Sequence, residues 1–463
     1  MSSRNNQLQP DMDTLQPVVS PAKLYTVIIA AAAGTLIEWY DLFLAIILAP
    51  VLAENLFPKS DVKFLETLAV VVSSYLIRPV GSLIFGSIGD KSGRKKSFLV
   101  SLLLMGGATF LVGCIPVYAA VGWVAPVLLL IFRLAQGMAI SGEYAGATIY
   151  VAEHAPAGKR GFYTGFIQST VPFGLLVCLS VVFATRALMT PMHFIAYGWR
   201  IPFLFSAVLV FVSFIARKKL GESPVYTQLK NDGETSVSPI REAFKTPGNA
   251  NRMLRAILGG CAAQATIMQT TQFVVLFFLQ RAAFLSPNTA IFILALAILL
   301  SGPSFQYFAA LSDKVGRKRV MLTGLIASAI LIPVVFYLFL QVANPTGLKE
   351  VHDISNYAVA QLVALTLLIN VASAMVYGPI GAFMLELFPT KIRYTSMGFA
   401  YNVGNGVIGG STTLIAELLK KTLVVGVVFA PFVGLLYPLV IIAIAIVVNA
   451  TMVPETYKNE LTG

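Results

Sequence analysis

The sequence predicts an all-α membrane protein with twelve transmembrane helices, arranged as two parallel six-helix repeats. Three observations lead to this fold class. First, the 463 residues are 57% hydrophobic and only 12% charged, with a mean hydropathy of +0.79, whereas soluble domains carry about 25% charged residues. Second, apolar runs long enough to cross a bilayer recur along the whole chain. Third, the polar junctions between runs in the first half return in the second half.

The apolar runs fall into two sets of six, separated by a hydrophilic stretch that carries Gly, Pro, Ser and charges of both signs. We place the spans at 24–53, 64–90, 97–117, 123–152, 161–187 and 199–217, and then at 252–281, 288–312, 319–342, 355–386, 394–419 and 424–452. The predicted domains are a disordered cytoplasmic tail (1–22), a six-helix bundle (23–217), a cytoplasmic linker (218–251), a second six-helix bundle (252–453) and a short cytoplasmic tail (454–463). The first tail is polar and lacks the apolar core of a signal peptide.

Basic residues set the predicted orientation, because lysine and arginine accumulate in cytoplasmic loops. They cluster after spans 2, 4, 6, 8 and 10, at Lys91, Arg94, Lys95, Lys96, Lys159, Arg160, Arg217, Lys218, Lys219, Lys314, Arg317, Lys318, Arg319, Lys391 and Arg393. All of these lie on one side if the spans alternate, so we expect both termini to be cytoplasmic and the protein to lie in the plasma membrane. This placement also explains the net charge of +12 without a nucleic-acid partner.

An internal repeat supports the two-bundle arrangement. The turn after span 2 reads Gly86-Ser-Ile-Gly-Asp90-Lys-Ser-Gly93-Arg94, and the turn after span 8 reads Ala309-Ala-Leu-Ser-Asp313-Lys-Val-Gly316-Arg317. Glu153 and Arg160 after span 4 return as Glu386 and Arg393 after span 10, and Glu222 after span 6 returns as Glu455 after span 12. Parallel repeats of this kind are typical of transporters whose site lies between the halves.

These junctions resemble the loop signature of the major facilitator superfamily. Within it, the chain is similar to the metabolite:proton symporter family of prokaryotes. The stretches that carry this similarity are Glu38-Trp-Tyr-Asp41, Arg133-Leu-Ala-Gln136-Gly137, Ser141-Gly-Glu143-Tyr144, Glu153-His-Ala-Pro156 and Glu222-Ser-Pro-Val225. The resemblance covers about residues 24–455 and implies the major facilitator fold, with uptake of small carboxylates or zwitterions driven by the proton gradient. In the second loop Ala309 replaces the first glycine, which weakens that match.

The resemblance also implies that charges at the cytoplasmic helix ends form networks that hold each half together. We expect Asp90 near the start of span 11, where a helix N-terminus favours a carboxylate. Such networks would hold the outward-facing state and break when the cytoplasmic side opens. The predicted gate residues are Asp90, Arg94, Glu153, Arg160, Asp313, Arg317, Glu386 and Arg393. For the neighbouring lysines, a role in topology alone is sufficient.

Charged residues inside the spans are the candidate coupling site, because intramembrane charges are costly and commonly functional. The first half holds Glu38, Asp41, Arg78, Arg133 and Glu143 within its spans. A rise of about 1.5 Å per residue places Asp41 and Arg133 at about 27 Å and about 30 Å from the cytoplasmic end. The same rise per residue places Arg78 and Glu143 at about 18 Å and about 15 Å. Glu38 lies at a depth between these two pairs of residues. Depth therefore predicts the pairs Asp41–Arg133 and Arg78–Glu143.

The functional hypothesis is proton coupling. A neighbouring arginine favours the ionised form of a buried carboxylate, so a proton on Asp41 would free Arg133 for a substrate carboxylate. We assign Asp41, Arg133, Glu38 and Glu143 to coupling and expect Arg133, Arg78, Tyr40 and Gln136 to contact substrate. The structural alternative is that these are satisfied ion pairs that stabilise the bundle. Arg78 precedes Pro79 and could instead brace a kink.

The second half has no acid or arginine deep in its spans but has amides and hydroxyls, among them Gln269, Gln272, Tyr377, Tyr401 and Asn405. Amides fix ligand hydroxyl groups directionally without adding charge. We select Gln264, Asn370 and Asn402 as substrate ligands, and the division of charge favours a hydroxylated acid such as a sugar acid or a shikimate-like acid. The alternative for each amide is a hydrogen bond between helices.

No residues suggest a metal or another cofactor, since the three cysteines and three histidines are scattered. We expect neither an enzyme nor a channel, because neither a nucleophile–base pair nor a charged ring stands out. The predicted function is proton-coupled symport of a small hydroxylated organic acid by alternating access. The predicted partners are this substrate, the proton and the lipid bilayer, with the protein a monomer. Alternatives of the same fold are a carrier for a neutral sugar or a proline/betaine-type zwitterion, a proton antiporter, or an uncoupled facilitator.

Overall fold

The computed structural model describes residues 21–92, 94–156, 158–218, 238–423 and 430–459. Within these ranges the side chains of 21–27, 30, 89–98, 153–154, 216–218 and 430 are not described. The predicted N-terminal tail therefore falls almost wholly outside the described residues, as does most of the predicted linker. A short helix, Pro239–Lys245, occupies the described part of the linker.

Six helical segments make up the first half. They are α1 (Pro21–Ile47, continued by Ala49–Leu56), α2 (Lys63–Leu76, continued by Arg78–Ser92), α3 (Arg94–Cys114), α4 (Val124–His154), α5 (Arg160–Ala187) and α6 (Pro191–His193, Phe194–Gly198 and Arg200–Lys218). The two parts of α1 meet at a 59° bend. Pro50 lies at the start of the second part, and a proline ring there clashes with the preceding turn and lacks the N–H that would continue the helix.

Six further segments make up the second half. They are α7 (Asn249–Ala256, Ile257–Cys261, Ala262–Gln269, Thr270–Val274 and Val275–Arg281), α8 (Pro287–Val315), α9 (Arg317–Ala343), α10 (Asn356–Leu387), α11 (Arg393–Tyr401, Asn402–Gly409 and Thr412–Thr422) and α12 (Leu436–Met452, preceded by the 3₁₀ turn Ala430–Leu435). Helix α7 begins three residues before its predicted start. Wide π-helical turns interrupt α7 twice and α11 once, and such turns occur often at functional sites.

The described residues contain eight continuous helices long and apolar enough to cross a membrane, and ten such spans if the bent α1 and α6 each count as one. The two remaining predicted spans correspond to the shorter α3 and the interrupted α11. Along the chain, the order of α1 to α12 matches the twelve predicted spans. Apolar side chains on the outside of α3, α6, α9 and α12 are exposed, among them Leu103, Phe211, Ile330 and Val447, as expected of surfaces that face lipid.

The two halves meet along two seams. At one seam α5 packs along α8, and at the other α2 packs against α11. These seams are equivalent under the internal repeat, which relates α2 to α8 and α5 to α11. We call the end of the molecule that carries the turn at Gly316 the inner end, because the basic residues predict it to be cytoplasmic, and the opposite end the outer end.

Candidate functional site

Arg78 lies at the start of the second part of α2, the helix that packs against α11, and is fully buried. Its guanidinium group stacks over the Tyr75 ring at 4.2 Å and lies 5.7 Å from the Trp39 ring. Nη1 donates to Oδ1 of Asn405 on α11 at 3.2 Å. Nε and Nη2 have no hydrogen-bond partner among the described residues. These two nitrogens form one edge of the guanidinium, the edge that binds a carboxylate through two parallel hydrogen bonds.

Asn405 connects Arg78 to the second half. Its Nδ2 donates to Oε1 of Gln264 on α7 at 3.2 Å, and Nε2 of Gln264 has no partner in the described part of the chain. Both amides belong to helices interrupted by π-helical turns. Close packing brings α11 to α2, because a Cβ atom on Gly406 would stand 2.9 Å from the carbonyl oxygen of Tyr75. The arrangement fixes one side of Arg78 and leaves its other edge available.

A small cavity adjoins this cluster, with room for about one water molecule. It is lined by Trp39, Phe43, Tyr75, Ala265, Met268, Gln269 and Asn405. Oε1 of Gln269 and Oε1 of Gln272 are buried and have no hydrogen-bond partner among the described side chains and backbone. Buried polar atoms without partners are rare in proteins. The region therefore combines one cation with several unused amide atoms, a chemistry suited to a hydroxylated anion.

An aromatic layer lies one helical turn inward from Asn405. Tyr144 of α4 stacks on Tyr401 of α11 with ring centroids 3.7 Å apart, and the hydroxyl groups of Tyr401 and Tyr377 are 3.3 Å apart. The Tyr144 hydroxyl donates to Oε1 of Gln168 at 3.0 Å, and Nε2 of Gln168 has no partner within the described structure. Gln168 is not among the predicted site residues, although a glutamine in an apolar run is a signal available for it. Asn405 and Gln269 are predicted only as polar residues of the second half.

The cavity is closed at the outer end by aromatic contacts between the halves. Phe43 of α1 packs on Phe273 of α7 at 5.2 Å, and Phe64 of α2 packs on Phe277 of α7 at 5.5 Å. Arg281 at the end of α7 lies 3.8 Å from the centre of the Phe64 ring, a cation–π contact. At the other seam, Arg186 of α5 donates to Asn288 of α8 at 2.9 Å.

Arg133 does not face the cavity. All of its nitrogens donate within the first half: Nε and Nη2 to the Val71 carbonyl, Nη2 also to the Ser74 hydroxyl, and Nη1 to the Leu42 carbonyl and to Oε1 of Gln136. Depth along a helix contains no information on which way a side chain points. Because no N–H of Arg133 remains free, we correct its assignment as a substrate ligand.

Gln136 and Tyr40 are corrected for the same reason. Gln136 uses Oε1 for Arg133 and donates Nε2 to the Thr109 hydroxyl at 2.7 Å. The Tyr40 hydroxyl donates to the Pro202 carbonyl of α6 at 2.7 Å. Both side chains therefore connect helices inside the first half and do not line the cavity.

Asp41 is fully buried inside the first half, on the face of α1 opposite to Trp39 and Phe43. The hydroxyl groups of Thr109 on α3 and Ser206 on α6 lie beside its carboxyl group. Neither carboxyl oxygen makes a hydrogen bond to any described residue. The predicted Asp41–Arg133 pair is thus wrong in this state, because the hydrogen bonds of Arg133 go to neutral oxygens and those two oxygens of Asp41 accept none.

Glu143 and Glu38 are also buried in the first half. The Thr35 hydroxyl donates to Glu143 at 3.3 Å, which ties α1 to α4. The predicted Arg78–Glu143 pair is wrong, since the single hydrogen bond of Arg78 goes to Asn405.

Two amides selected from the sequence have different environments. Asn370 on α10 is buried, and neither its Nδ2 nor its Oδ1 has a partner in the described residues. Asn402 donates from Nδ2 to the carbonyls of Ser141 and Gly398, both at 2.8 Å. Asn402 therefore connects α11 to α4, and we correct its assignment as a substrate ligand.

A charge network closes the inner end. Nη2 of Arg317 lies 2.7 Å from Asp313 and 3.0 Å from Glu386, and Nε donates to Glu386 at 3.2 Å. The main-chain N–H of Arg317 donates to Glu455 at 2.7 Å. All three acids come from different segments, so Arg317 holds together the turn before α9, the end of α10 and the residues after α12.

Asp313 also connects the halves. Its two carboxyl oxygens accept the main-chain N–H groups of Gly161 and Phe162, each at 2.8 Å, at the start of α5. A carboxylate at this position also interacts favourably with the helix dipole. The arrangement is the repeat-related equivalent of the one predicted for Asp90 and α11.

The other predicted gate residues have the following positions. Arg160 donates to the Asn459 carbonyl at 2.8 Å, and Arg393 donates to the Phe388 carbonyl at 3.1 Å. The side chains of Asp90, Arg94 and Glu153 lie outside the described residues. Within the described residues, no cluster of three His, Cys, Asp or Glu side chains could hold a metal ion.

Comparison with known proteins agrees with this geometry. The profile of the Major Facilitator Superfamily matches residues 31–414. Among solved structures, the proton:xylose symporter XylE bound to 6-bromo-6-deoxy-D-glucose superposes with a TM-score of 0.70, over 95% of this chain and 98% of that one. The sequence identity to XylE is 18%, so this likeness concerns the fold.

Three relatives are similar over most of their length. The alpha-ketoglutarate permease of Escherichia coli K12 is 32% identical, covering 85% of this chain and 87% of the permease. The shikimate transporter of the same strain is 31% identical, covering 90% of this chain and 92% of that transporter. The proline/betaine transporter of E. coli K12 is 29% identical, covering 96% of this chain and 86% of that protein.

Proposed function

The chain belongs to the major facilitator superfamily of membrane transport proteins, and from this premise we propose that it is a proton-coupled symporter of a small hydroxylated organic acid. Transport would proceed by alternating access, with the substrate bound between the halves. The protein would act as a monomer in the plasma membrane with both termini in the cytoplasm, as its basic residues predict.

The observation that carries the proposal is the available edge of Arg78. A buried guanidinium whose Nε and Nη2 have no partner among the described residues is costly unless a ligand completes its hydrogen bonds. A carboxylate fits that edge with two parallel hydrogen bonds. Asn405 holds the opposite side of the guanidinium and so sets the direction in which the edge points.

The buried amides of the second half support a ligand that also carries hydroxyl groups. Nε2 of Gln264 is a donor, Oε1 of Gln269 and Oε1 of Gln272 are acceptors, and Asn370 offers one of each. Hydroxyl groups can satisfy both kinds of atom. The similarity to a shikimate transporter and to an alpha-ketoglutarate permease supports an acid as substrate.

We assign the coupled proton to Asp41. Neither oxygen of the buried Asp41 carboxyl group has a hydrogen-bond partner in the described structure. The ionised form is therefore costly inside the membrane, which suits a group that binds and releases a proton. Glu38 and Glu143 remain candidates for the same task, since both are buried in the same bundle. The gate would be the inner network of Asp313, Arg317 and Glu386.

A zwitterion of the proline/betaine type is the second candidate substrate, favoured by the similarity to a proline/betaine transporter. Its carboxylate would use Arg78 equally well. Its cationic end would need an aromatic or acidic partner, and Trp39 and Tyr75 already face the guanidinium of Arg78. A neutral sugar would leave the edge of Arg78 unpaired, which makes it the weaker alternative.

The test is binding and uptake by the purified protein. Thermal shift with shikimate, gluconate, 2-oxoglutarate, glycine betaine and xylose would identify the ligand class, because a ligand of the native state raises the melting temperature. With the acid that binds, Arg78→Lys should weaken affinity by about 10- to 100-fold, since one charge-assisted hydrogen bond contributes about 1.5–3 kcal/mol. Arg319→Lys, on the exposed start of α9, is the matched control and should bind normally.

Uptake into proteoliposomes then tests the coupling. In a symporter, acid outside and alkaline inside should drive accumulation of the acid, and Asp41→Asn should abolish accumulation while exchange across the membrane continues. Proton movement in the opposite direction would indicate an antiporter. Accumulation that is unchanged in Asp41→Asn would refute the assignment of the proton to this residue. Xylose binding that survives in Arg78→Lys would refute the proposal that the substrate is an organic acid.

A further inference from the structure

Two polar side chains connect the region of Asp41 to Arg133. The Thr109 hydroxyl lies beside the Asp41 carboxyl group and accepts a hydrogen bond from Nε2 of Gln136 at 2.7 Å. Oε1 of Gln136 accepts from Nη1 of Arg133 at 2.6 Å. Thr109, Gln136 and Arg133 are all buried. A glutamine that uses both ends of its amide in this way has a fixed orientation.

The other side of Arg133 holds α2. Its Nε and Nη2 donate to the Val71 carbonyl, and Nη2 also donates to the Ser74 hydroxyl at 2.6 Å. The next residue is Tyr75, whose ring stacks on Arg78 at 4.2 Å. A shift of the Arg133 guanidinium would therefore reach the ring that covers the proposed carboxylate site.

We propose that Thr109 and Gln136 are positioning residues that transmit the proton on Asp41 to Arg133 and, through α2, to Tyr75 and Arg78. The inference rests on the proposed assignment of the proton to Asp41. It adds the physical route by which that proton changes a substrate site on the opposite face of α1. Neither residue would touch substrate.

The route works because a threonine hydroxyl has one proton and two lone pairs. In this structure Thr109 donates to the Met105 carbonyl at 3.0 Å, which leaves its lone pairs for Gln136 and for a proton on Asp41. When Asp41 loses its proton, its carboxylate can accept several hydrogen bonds. The Ser206 hydroxyl, which has no partner among the described residues, can donate directly, whereas Thr109 adds a second donor only by rotating its hydroxyl away from Met105. That rotation moves the lone pair that Gln136 uses, so Gln136 must adjust, and Arg133 with it.

The surroundings of Asp41 leave few competing routes. Helix α3 presents Thr109, α6 presents Ser206, and α5 presents the Cys178 thiol. On α1 itself the Tyr40 hydroxyl is committed to Pro202. On α4, Arg133 is the charged group that this chain of hydrogen bonds reaches. Of the described side chains beside Asp41, Thr109 is thus the one that is connected, through Gln136, to an arginine.

The experiment uses two probes that need no substrate. Trp39 lines the cavity and lies 5.7 Å from Arg78, so its fluorescence reports changes at the substrate site once Trp123 and Trp199 are replaced by Phe. The infrared band of a protonated carboxyl group, taken as the difference from Asp41→Asn, reports Asp41 itself. Both are recorded while the pH of the full-length protein in nanodiscs is varied.

In the parent protein, the fluorescence and the infrared band should change together with pH. Thr109→Val keeps the shape but removes the hydroxyl group, so the infrared change should persist while the fluorescence change is lost. Thr109→Ser restores the hydroxyl group and should restore the fluorescence change. Gln136→Leu should behave like Thr109→Val.

Different failures have different meanings. A fluorescence change that persists in Thr109→Val, or is absent in the parent while the infrared band titrates, overturns the route but leaves Asp41 as the proton site. Loss of the fluorescence change in Thr109→Ser as well would show a packing role and also overturns the route. An infrared band that does not titrate at all refutes the proton site, and the route with it.

Discussion

Arg78 and Arg133 are both fully buried arginines of the first half, but their nitrogens contact different groups. Every nitrogen of Arg133 donates to a neighbouring oxygen, and its bonds connect α1, α2 and α4. Arg78 donates once, to Asn405, across the interface between the halves. Among the described residues, the difference in satisfied donors separates a structural arginine from one suited to bind a ligand.

At the residue scale, we predict that Asn405→Asp interferes with binding of an organic acid. The new carboxylate would pair with Arg78 and compete with the substrate, so affinity should fall by at least about tenfold, which corresponds to about 1.4 kcal/mol. The dissociation constant is measured by thermal shift or isothermal titration.

Asn405→Ala distinguishes the effect of the new negative charge from the effect of losing the hydrogen bond that positions Arg78. It removes the hydrogen bond to Arg78 but adds no competing anion, so its loss of affinity should be smaller than that of Asn405→Asp. If the two variants lose affinity equally, the role of Asn405 is to position Arg78, and the competition argument is incorrect.

At the scale of elements, α11 brings the halves together at one of the two seams, where it packs against α2. Its glycines face α2 and α7 at short distance, and a Cβ atom on Gly410 would overlap the Tyr75 ring. Asn402 and Tyr394 of the same helix bond to the Ser141 and Gly142 carbonyls of α4. The sequence does not indicate which helices these glycines contact, because the contacts join residues more than 140 positions apart.

We predict that Gly410→Ala disturbs this seam. The added methyl group must displace the buried Tyr75 ring, and overpacking of this kind costs about 1–3 kcal/mol. Tyr75 covers Arg78, so substrate affinity should fall together with the melting temperature.

Gly398→Ala is the matched control on the same helix. A Cβ atom there would have its nearest neighbours at 3.8 Å, on Ala145 and Ser82, which is ordinary contact. This variant should melt at or slightly above the temperature of the parent, because alanine favours the helix. Equal destabilisation of both variants would contradict the seam as the cause.

At the scale of the whole molecule, the two halves touch at both ends in this state. Aromatic pairs between α1, α2 and α7 close the outer end, whereas Asp313 and the start of α5 close the inner end. The cavity beside Arg78 has room for about one water molecule. Entry of a substrate therefore requires one of the two closures to open, which is what alternating access demands.

We predict that Asp313→Asn opens the inner end more often. An asparagine cannot accept from both N–H groups of α5 as a carboxylate does, and it weakens the pair with Arg317, so the closed state loses charge-assisted hydrogen bonds between the halves. Spin labels on cysteines at Lys159 and Lys314, which are exposed on opposite halves, should report longer distances. The labelled protein would carry Cys114→Ser, since Cys114 is exposed.

Asp353→Asn, on the connection between α9 and α10 at the outer end, serves as the control and should leave the distance distribution unchanged. An unchanged distribution in Asp313→Asn would mean that the contact with α5 does not hold the inner end closed.

The sequence by itself determined the fold class, the twelve spans and their order, and the pairing of the repeat-related turns, because these follow from local hydropathy and from residues close together in the chain. It also identified the buried charges, since a charge in an apolar run is costly wherever it points. It selected Asn370 as a substrate ligand, and the Asn370 amide has no partner in the described residues. It also assigned Arg133, Gln136, Tyr40 and Asn402 to the substrate, and these side chains connect helices instead.

The tertiary structure decided which of these groups face one another. Depth along a helix can be counted from the sequence, but the direction of a side chain about the helix axis, relative to eleven other helices, depends on packing. That direction separated Asp41 from Arg133, placed Gln136 and Thr109 between them, and left one edge of Arg78 without a partner among the described residues while Asn405 of the other half holds its opposite side.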